Sequence, residues 1–236
     1  MSKTIYLNFP ITIIKDIFDN SKGTFRDIAY WAAADVMKGF VVQYPMPKLT
    51  EANKVLQLKI PVNQIEYKQC LNIYSKYSGA RTGLSKEHLT YLNKCWCFIK
   101  DSDKVLWLAF ISAKSILGNK VKCQTNDLML FARMNGLNRA FSNEVDLLEH
   151  SHPIIASFYT RRKRDTLRKR LAEEFHINTY SNHDRGYHIS RRLSFEKLKE
   201  IVELDRQQKK SYQGGMAEVN KKALEPIQDD VPEDSS

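Results

Sequence analysis

Apolar positions along the chain recur with two periods, and each period predicts a type of element. Thr4–Ile14 is rich in β-branched residues and alternates imperfectly, which predicts a strand with Pro10 at an edge or bulge. Asp19–Gly23 is a turn cluster. Thr24 then caps a helix to about Lys38, with Ile28, Trp31, Ala32 and Val36 as its apolar stripe and Gly39 as its stop. Phe40–Tyr44 reads as a short strand. Pro45, Pro47 and Pro61 make the next stretch loop-like, although Lys54–Ile60 alternates as a strand does. Val62–Tyr77 predicts a helix with Ile65, Ile73 and Tyr77 on one face, broken by Ser78–Gly83. Ser85 caps a further helix through about Ile99, with Leu89, Leu92, Trp96 and Ile99 at helical spacing.

Lys104–Leu117 is apolar almost all round, the mark of a buried helix, and Gly118-Asn119 stops it. A minimal strand, Val121–Cys123, precedes a helix over Asn126–Asn135 that Thr125 caps and Gly136 closes. Leu137–His150 is a linker with a short acidic helix, ended by Pro153. A helix over Thr160–Phe175 follows, then a strand Ile177–Ser181, a turn Asn182–Gly186 and a returning strand Tyr187–Arg192. Ser194 caps a last helix to about Lys210, with Phe195, Leu198, Ile201 and Val202 inward. The pattern predicts a mainly α chain with small β elements, an α+β fold without internal repeats. Its expected parts are an α+β module over 1–100, a second module over 101–212 and a disordered acidic tail over 213–236.

With 42% apolar residues in 236, the chain has enough hydrophobic material for a core. Its net charge is +10 and its pI near 9.3, which favours a polyanionic partner. The charge is uneven. Residues 1–159 hold 20 Lys/Arg against 13 Asp/Glu, residues 160–212 hold 15 against 8, and residues 213–236 hold 2 against 6. Basic density therefore peaks around one helix, and an acidic end follows it. The start lacks the pattern of a signal peptide and no apolar run reaches membrane-spanning length, so a cytoplasmic protein with Cys70, Cys95, Cys97 and Cys123 reduced is expected.

In residues 103–210 the order helix, short strand, helix, helix, β-hairpin resembles the winged-helix class of helix-turn-helix DNA-binding domains. The resemblance implies that the third helix enters the major groove and that the hairpin wing touches backbone or minor groove. Carried onto this chain, the groove helix is TRRKRDTLRKRLAEEF and the wing is INTYSNHDRGYHISRR. Asn126–Asn135 becomes the positioning helix, with Ala132 and Gly136 as its small residue and turn glycine. The chain departs from the pattern in the long segment between Gly136 and Thr160. Either it is an insertion, or Leu137–His150 is itself the third helix. Glu144, Asp146 and Glu149 make that segment a poor phosphate neighbour, which favours Thr160–Phe175.

The basic helix can be read without the resemblance. At about 100° per residue, Thr160, Leu167, Leu171 and Phe175 share one sector, with Arg164 snorkelling from the same side. Arg162, Asp165, Thr166, Lys169 and Glu173 face the other way. Arg161 and Arg168 flank one edge of that face, and Lys163 and Arg170 the other. Arg forks to guanine, the Thr methyl meets thymine, and Lys neutralises phosphate. Four cations crowd the first turn while Glu173-Glu174 sit in the last, the reverse of what the helix dipole prefers. That placement suits an external anion at the N-terminus. In the wing, Arg185, Arg191 and Arg192 join the expected DNA contacts, whereas His183 and His188 read as turn and strand-surface residues. The acidic tail is a candidate intramolecular competitor for the basic helix.

Other chemistry finds little footing. Cys95-Trp-Cys97 with His150-Ser-His152 has the wrong spacing for zinc. His150-Ser-His152 with Tyr159 echoes the metal-binding histidines and nucleophile of rolling-circle nickases, but Ser151 and Pro153 break that pattern. Phosphate-loop, nucleophile-elbow and zinc-protease motifs are absent. No catalytic residue, metal or cofactor is expected, and the aromatic residues mostly fall at core spacing. The expected function is binding of double-stranded DNA, as a transcription regulator or a plasmid- or phage-type replication initiator. Homodimerisation is left open, and no membrane partner is expected. The alternatives are an adaptor whose basic helix meets an acidic protein, and an RNA-binding protein.

Overall fold

A computed structural model describes residues 4–181 and 186–224, with side chains through residue 212. Among the described residues the chain is mainly helical with two small sheets.

Strand β1 (Tyr6–Pro10) is shorter than the alternation predicts. After Pro10 the chain enters a 3-10 helix over Ile11–Asp16, in which Ile11, Ile13 and Ile14 are all buried. Burial of adjacent isoleucines suits a helical turn and cannot be met on one face of a strand. Helix α1 (Ser21–Lys38) starts four residues earlier than expected, because the Asn20 side chain, in place of Thr24, caps it by accepting from the Gly23 amide at 3.1 Å, and Thr24 is already inside.

Helix α2 (Pro45–Leu56) replaces the expected loop and strand. Its prolines lie in the first turn, where no backbone donor is needed, and Leu49, Ala52 and Leu56 are buried at helical spacing. Phe40–Tyr44 is not a strand. Helix α3 (Gln64–Lys76) is capped by Asn63. Strand β2 (Arg81–Ser85), in the stretch read as a break, pairs antiparallel with β1, placing Tyr6 opposite Ser85 and Pro10 opposite Arg81. Ser85 then caps α4 (Lys86–Cys95), its hydroxyl accepting from the His88 amide at 3.1 Å.

Helix α5 (Asp101–Leu117) is buried on several sides, as its composition predicts, and packs against β2 and the 3-10 helix as well as the elements that follow it. Those elements are β3 (Lys122–Thr125), α6 (Asp127–Met134), α7 (Glu144–His150), α8 (Pro153–Ala156), α9 (Arg161–Phe175), β4 (Asn178–Tyr180), β5 (Tyr187–Ser190) and α10 (Phe195–Leu224). Asn126, rather than Thr125, caps α6. Strands β3, β5 and β4 form one antiparallel sheet in that order.

Helix α10 continues through Gly214-Gly215 to Leu224, past the end expected at Lys210 and into the stretch expected to be a tail. Residues 225–236, His183 and Arg185 lie outside the described residues. One buried cluster runs from Leu7 to Ile189 and so spans the junction near residue 100. A smaller one joins α1, α2 and α3 through Ala33, Ala34, Leu49 and Cys70. Among the described residues no helix is long and apolar enough to cross a membrane.

Candidate nucleic-acid interface

Helix α9 is built from strong helix formers and anchored by Leu167 and Leu171, which are buried against the core. At its C-terminal end Phe175 stacks on Phe110, ring centroids 4.2 Å apart, and meets Trp107 edge-on. Thr160 is exposed, contrary to its expected inward position. It is the N-cap, with extended backbone, so helical periodicity does not reach it.

The cations of α9 sort into two sets. Arg164 Nη1 donates to Asp127 at 2.8 Å and its guanidinium lies 4.5 Å over the Tyr159 ring. Arg168 Nη2 donates to the other oxygen of Asp127 at 2.5 Å, its Nη1 bonds Asp165 at 3.0 Å, and its guanidinium covers Tyr187 at 4.6 Å. Arg170 bonds Glu174 at 2.7 Å and Asp103 at 2.9 Å. Arg168 and Arg170, expected on the flanks as DNA contacts, are thus held inward by carboxylates. Burial pulls the Arg168 guanidinium down, but the charge and hydrogen bond of Asp127 outweigh it and leave its pKa raised.

The second set faces solvent. Arg161 and Arg162 are exposed and have no ion pair among the described residues. Lys163 is exposed, with its ammonium bonded to the Ser157 carbonyl at 2.8 Å and 4.8 Å from the Phe158 ring. Lys169 is exposed and only loosely paired with Glu173, at 3.8 Å. Thr166 lies among them, its hydroxyl satisfied by the Arg162 carbonyl at 3.0 Å. The first turn of α9 contains no acid, and its N-cap side chain satisfies no amide. Its first amide donors, with Arg161 and Arg162, are therefore available to an anion.

Arg191 and Arg192 are exposed but lie elsewhere. They follow Ser190, which pairs with Lys122 and Asn178, at the end of β5 away from Tyr187 and the hairpin turn. The strand separates those ends by about 10 Å. Arg191 is near Lys114 and His88, both of whose pKa values its charge helps to lower. These two arginines therefore form a separate patch.

Asp127, Asp103, Tyr159 and Tyr187 position α9; Asp127, Asp103 and Tyr187 were not legible as partners, since each is remote in sequence. The Tyr187 hydroxyl is buried, and burial raises its pKa. Tyr159 is buried too, donates to Glu144 at 3.2 Å and is shifted upward by burial, the opposite of an activated nucleophile. His152 stacks on Phe18 at 4.2 Å, and its backbone amide bonds Asn135 at 2.9 Å. Among the described residues no group of His, Cys, Asp and Glu is arranged to hold a metal ion. Helices α7 and α8 fill the segment between α6 and α9. Compared with protein-family models, curated proteins and solved structures, the chain matches none.

Proposed function

We propose that the chain binds duplex DNA through the outward face of α9, with residues 103–210 acting as a winged-helix module. The observation that carries this reading is the sorting of the arginines. Arg164, Arg168 and Arg170 are tied to carboxylates, whereas Arg161 and Arg162 project from the first turn with no counter-charge among the described residues. A helix stabilised for its own sake would place acids in that turn. The order α5, β3, α6, α9, β4, β5 supports the module, because β3 joins the hairpin as a third strand and ties the wing to the segment between α5 and α6. Helices α7 and α8 are then an insertion between positioning and groove helices. The role is that of a transcription regulator or a plasmid- or phage-type replication initiator.

The test is duplex affinity, measured over a range of salt on fragments selected from random and genomic DNA. Neutralised phosphates give a log–log slope of about −0.9 per contact. Absence of duplex binding at moderate salt overturns the reading in favour of an acidic protein partner, and preference for the matching RNA overturns it in favour of RNA binding. Recovery of promoters or of origins distinguishes the two roles.

A further inference from the structure

Lys114 sits one turn before the end of α5, where its ammonium donates to the Gly83 carbonyl of β2. The rings of Tyr6 and Phe110 lie 5.2 Å and 5.3 Å from it. The side chain is largely buried, and no carboxylate pairs with it among the described residues. Its charged neighbour is another cation, Arg191. Burial first, and Arg191 second, push Lys114 from 10.5 down to about 8. A secluded ammonium beside a like charge is costly unless an anion joins it.

There is room for one. Lys114 lines a cavity of about 520 Å³ with Asn8, Arg81, Thr82, Ser115 and Asn119. Two of these are already engaged: the Thr82 hydroxyl donates to the Ile111 carbonyl at 2.8 Å, and Arg81 pairs with Asp35 at 3.2 Å. Ser115 is not. It is only 8% exposed, and its hydroxyl oxygen, itself buried, has no hydrogen-bond partner among the described residues. Gly118, also in the lining, has open space where a side chain would stand. The cavity thus collects an unneutralised ammonium and two amide side chains, and Ser115 in its wall carries an unused hydroxyl.

We propose that this cavity, between β2 and the end of α5, binds a phosphate group held by Lys114 and Ser115. The volume is in the range of small-ligand sites. The group arrives either on a free phosphorylated ligand or as a backbone phosphate of bound nucleic acid. The site stands apart from the outward face of α9 and does not rest on the DNA reading.

The test uses the full chain and inorganic phosphate. Thermal unfolding is followed in phosphate and in chloride at matched ionic strength, near pH 7.5. Phosphate is expected to raise the midpoint by about 2–4 °C beyond chloride in the wild type and in Arg162→Ala. Lys114→Met abolishes the increment, Ser115→Ala reduces it, and Lys114→Arg retains part of it. No increment in the wild type, or a full increment in both Lys114→Met and Ser115→Ala, overturns the site. Duplex titration then separates the sources. A backbone phosphate makes Lys114→Met weaken duplex binding and lowers the salt slope by about one contact. A free ligand leaves duplex binding unchanged in that variant.

Discussion

Arg168 on α9 reaches Asp127 at the start of α6, Nη2 to Oδ1 at 2.5 Å, although 41 residues separate them in the chain. Arg164 takes the other oxygen, so one carboxylate holds two successive turns of the helix. Leu167 and Leu171 alone would fix the depth of α9 but allow it to roll about its axis. The shared carboxylate fixes the roll, and with it the direction in which Arg162 and Lys169 point.

Asp127→Asn keeps the shape and removes the charge. It leaves the partly buried Arg164 guanidinium without its counter-ion and Arg168 with the exposed Asp165 alone, and the expected loss of stability is about 2 kcal/mol in urea unfolding. Duplex affinity is expected to fall as well, although the variant is one unit more positive. A rise in affinity would show that net charge, not orientation, governs binding.

The two sets of arginines predict opposite phenotypes. Arg162→Ala changes stability by less than about 0.5 kcal/mol but weakens duplex binding and flattens its salt dependence by about 0.9 for each phosphate lost. Arg170→Ala loses its bonds to Asp103 and Glu174, costs about 1 kcal/mol, and leaves the salt slope unchanged. Unfolding and titration of both variants side by side read the difference.

Gly136 ends α6 with φ of +71°, and a Cβ there would lie 2.8 Å from the Lys15 amide nitrogen. Gly136→Ala therefore combines left-handed strain with a clash against backbone. The expected loss is at least about 1–2 kcal/mol, seen as a lower thermal midpoint. An unchanged midpoint would mean that the 3-10 helix moves aside freely.

Lys114 makes stability depend on alkaline pH. In the folded chain it loses its proton near pH 8, and in the unfolded chain near its ordinary 10.5. Between these values the unfolded state binds one more proton, so stability rises with pH. The slope is at most about 1.4 kcal/mol per unit, and partial exposure of the side chain reduces it. The difference in unfolding free energy between the wild type and Lys114→Met, followed from pH 7 to 10, isolates this group. A flat difference would refute it.

The elements that could be read from the sequence are those whose burial has one period. Helix α5 stands out because almost every position is apolar, and α9 because Leu167 and Leu171 repeat within a charged run. The strands β4 and β5 are framed by turn residues. Helix α2 was hidden because Pro45 and Pro47 look like breakers, whereas in a first turn they break nothing. Strand β2 was hidden because Gly79 and Gly83 dominate its neighbourhood and its pairing with β1 spans most of the N-terminal half. The outward face of α9 was legible at Arg161, Arg162, Lys163, Thr166 and Lys169. The inward pull on Arg168 and Arg170 was not: beyond their α9 neighbours Asp165 and Glu174, it comes from Asp127 of α6 and Asp103 of α5, and local periodicity carries no information about distant partners.

Helix α5 belongs to the cores of both halves of the chain, touching β2 on one side and α6 and α9 on another. For anyone engineering this protein, that forbids a cut near residue 100. A fragment starting there would bare the face of α5 that packs against β2 and the 3-10 helix, and its complement would lose the support that α5 gives to both. One buried cluster joins the chain from Leu7 of β1 to Ile189 of β5. On the proposed DNA reading, retargeting means exchanging the outward residues of α9 in place, not grafting the C-terminal module onto another carrier.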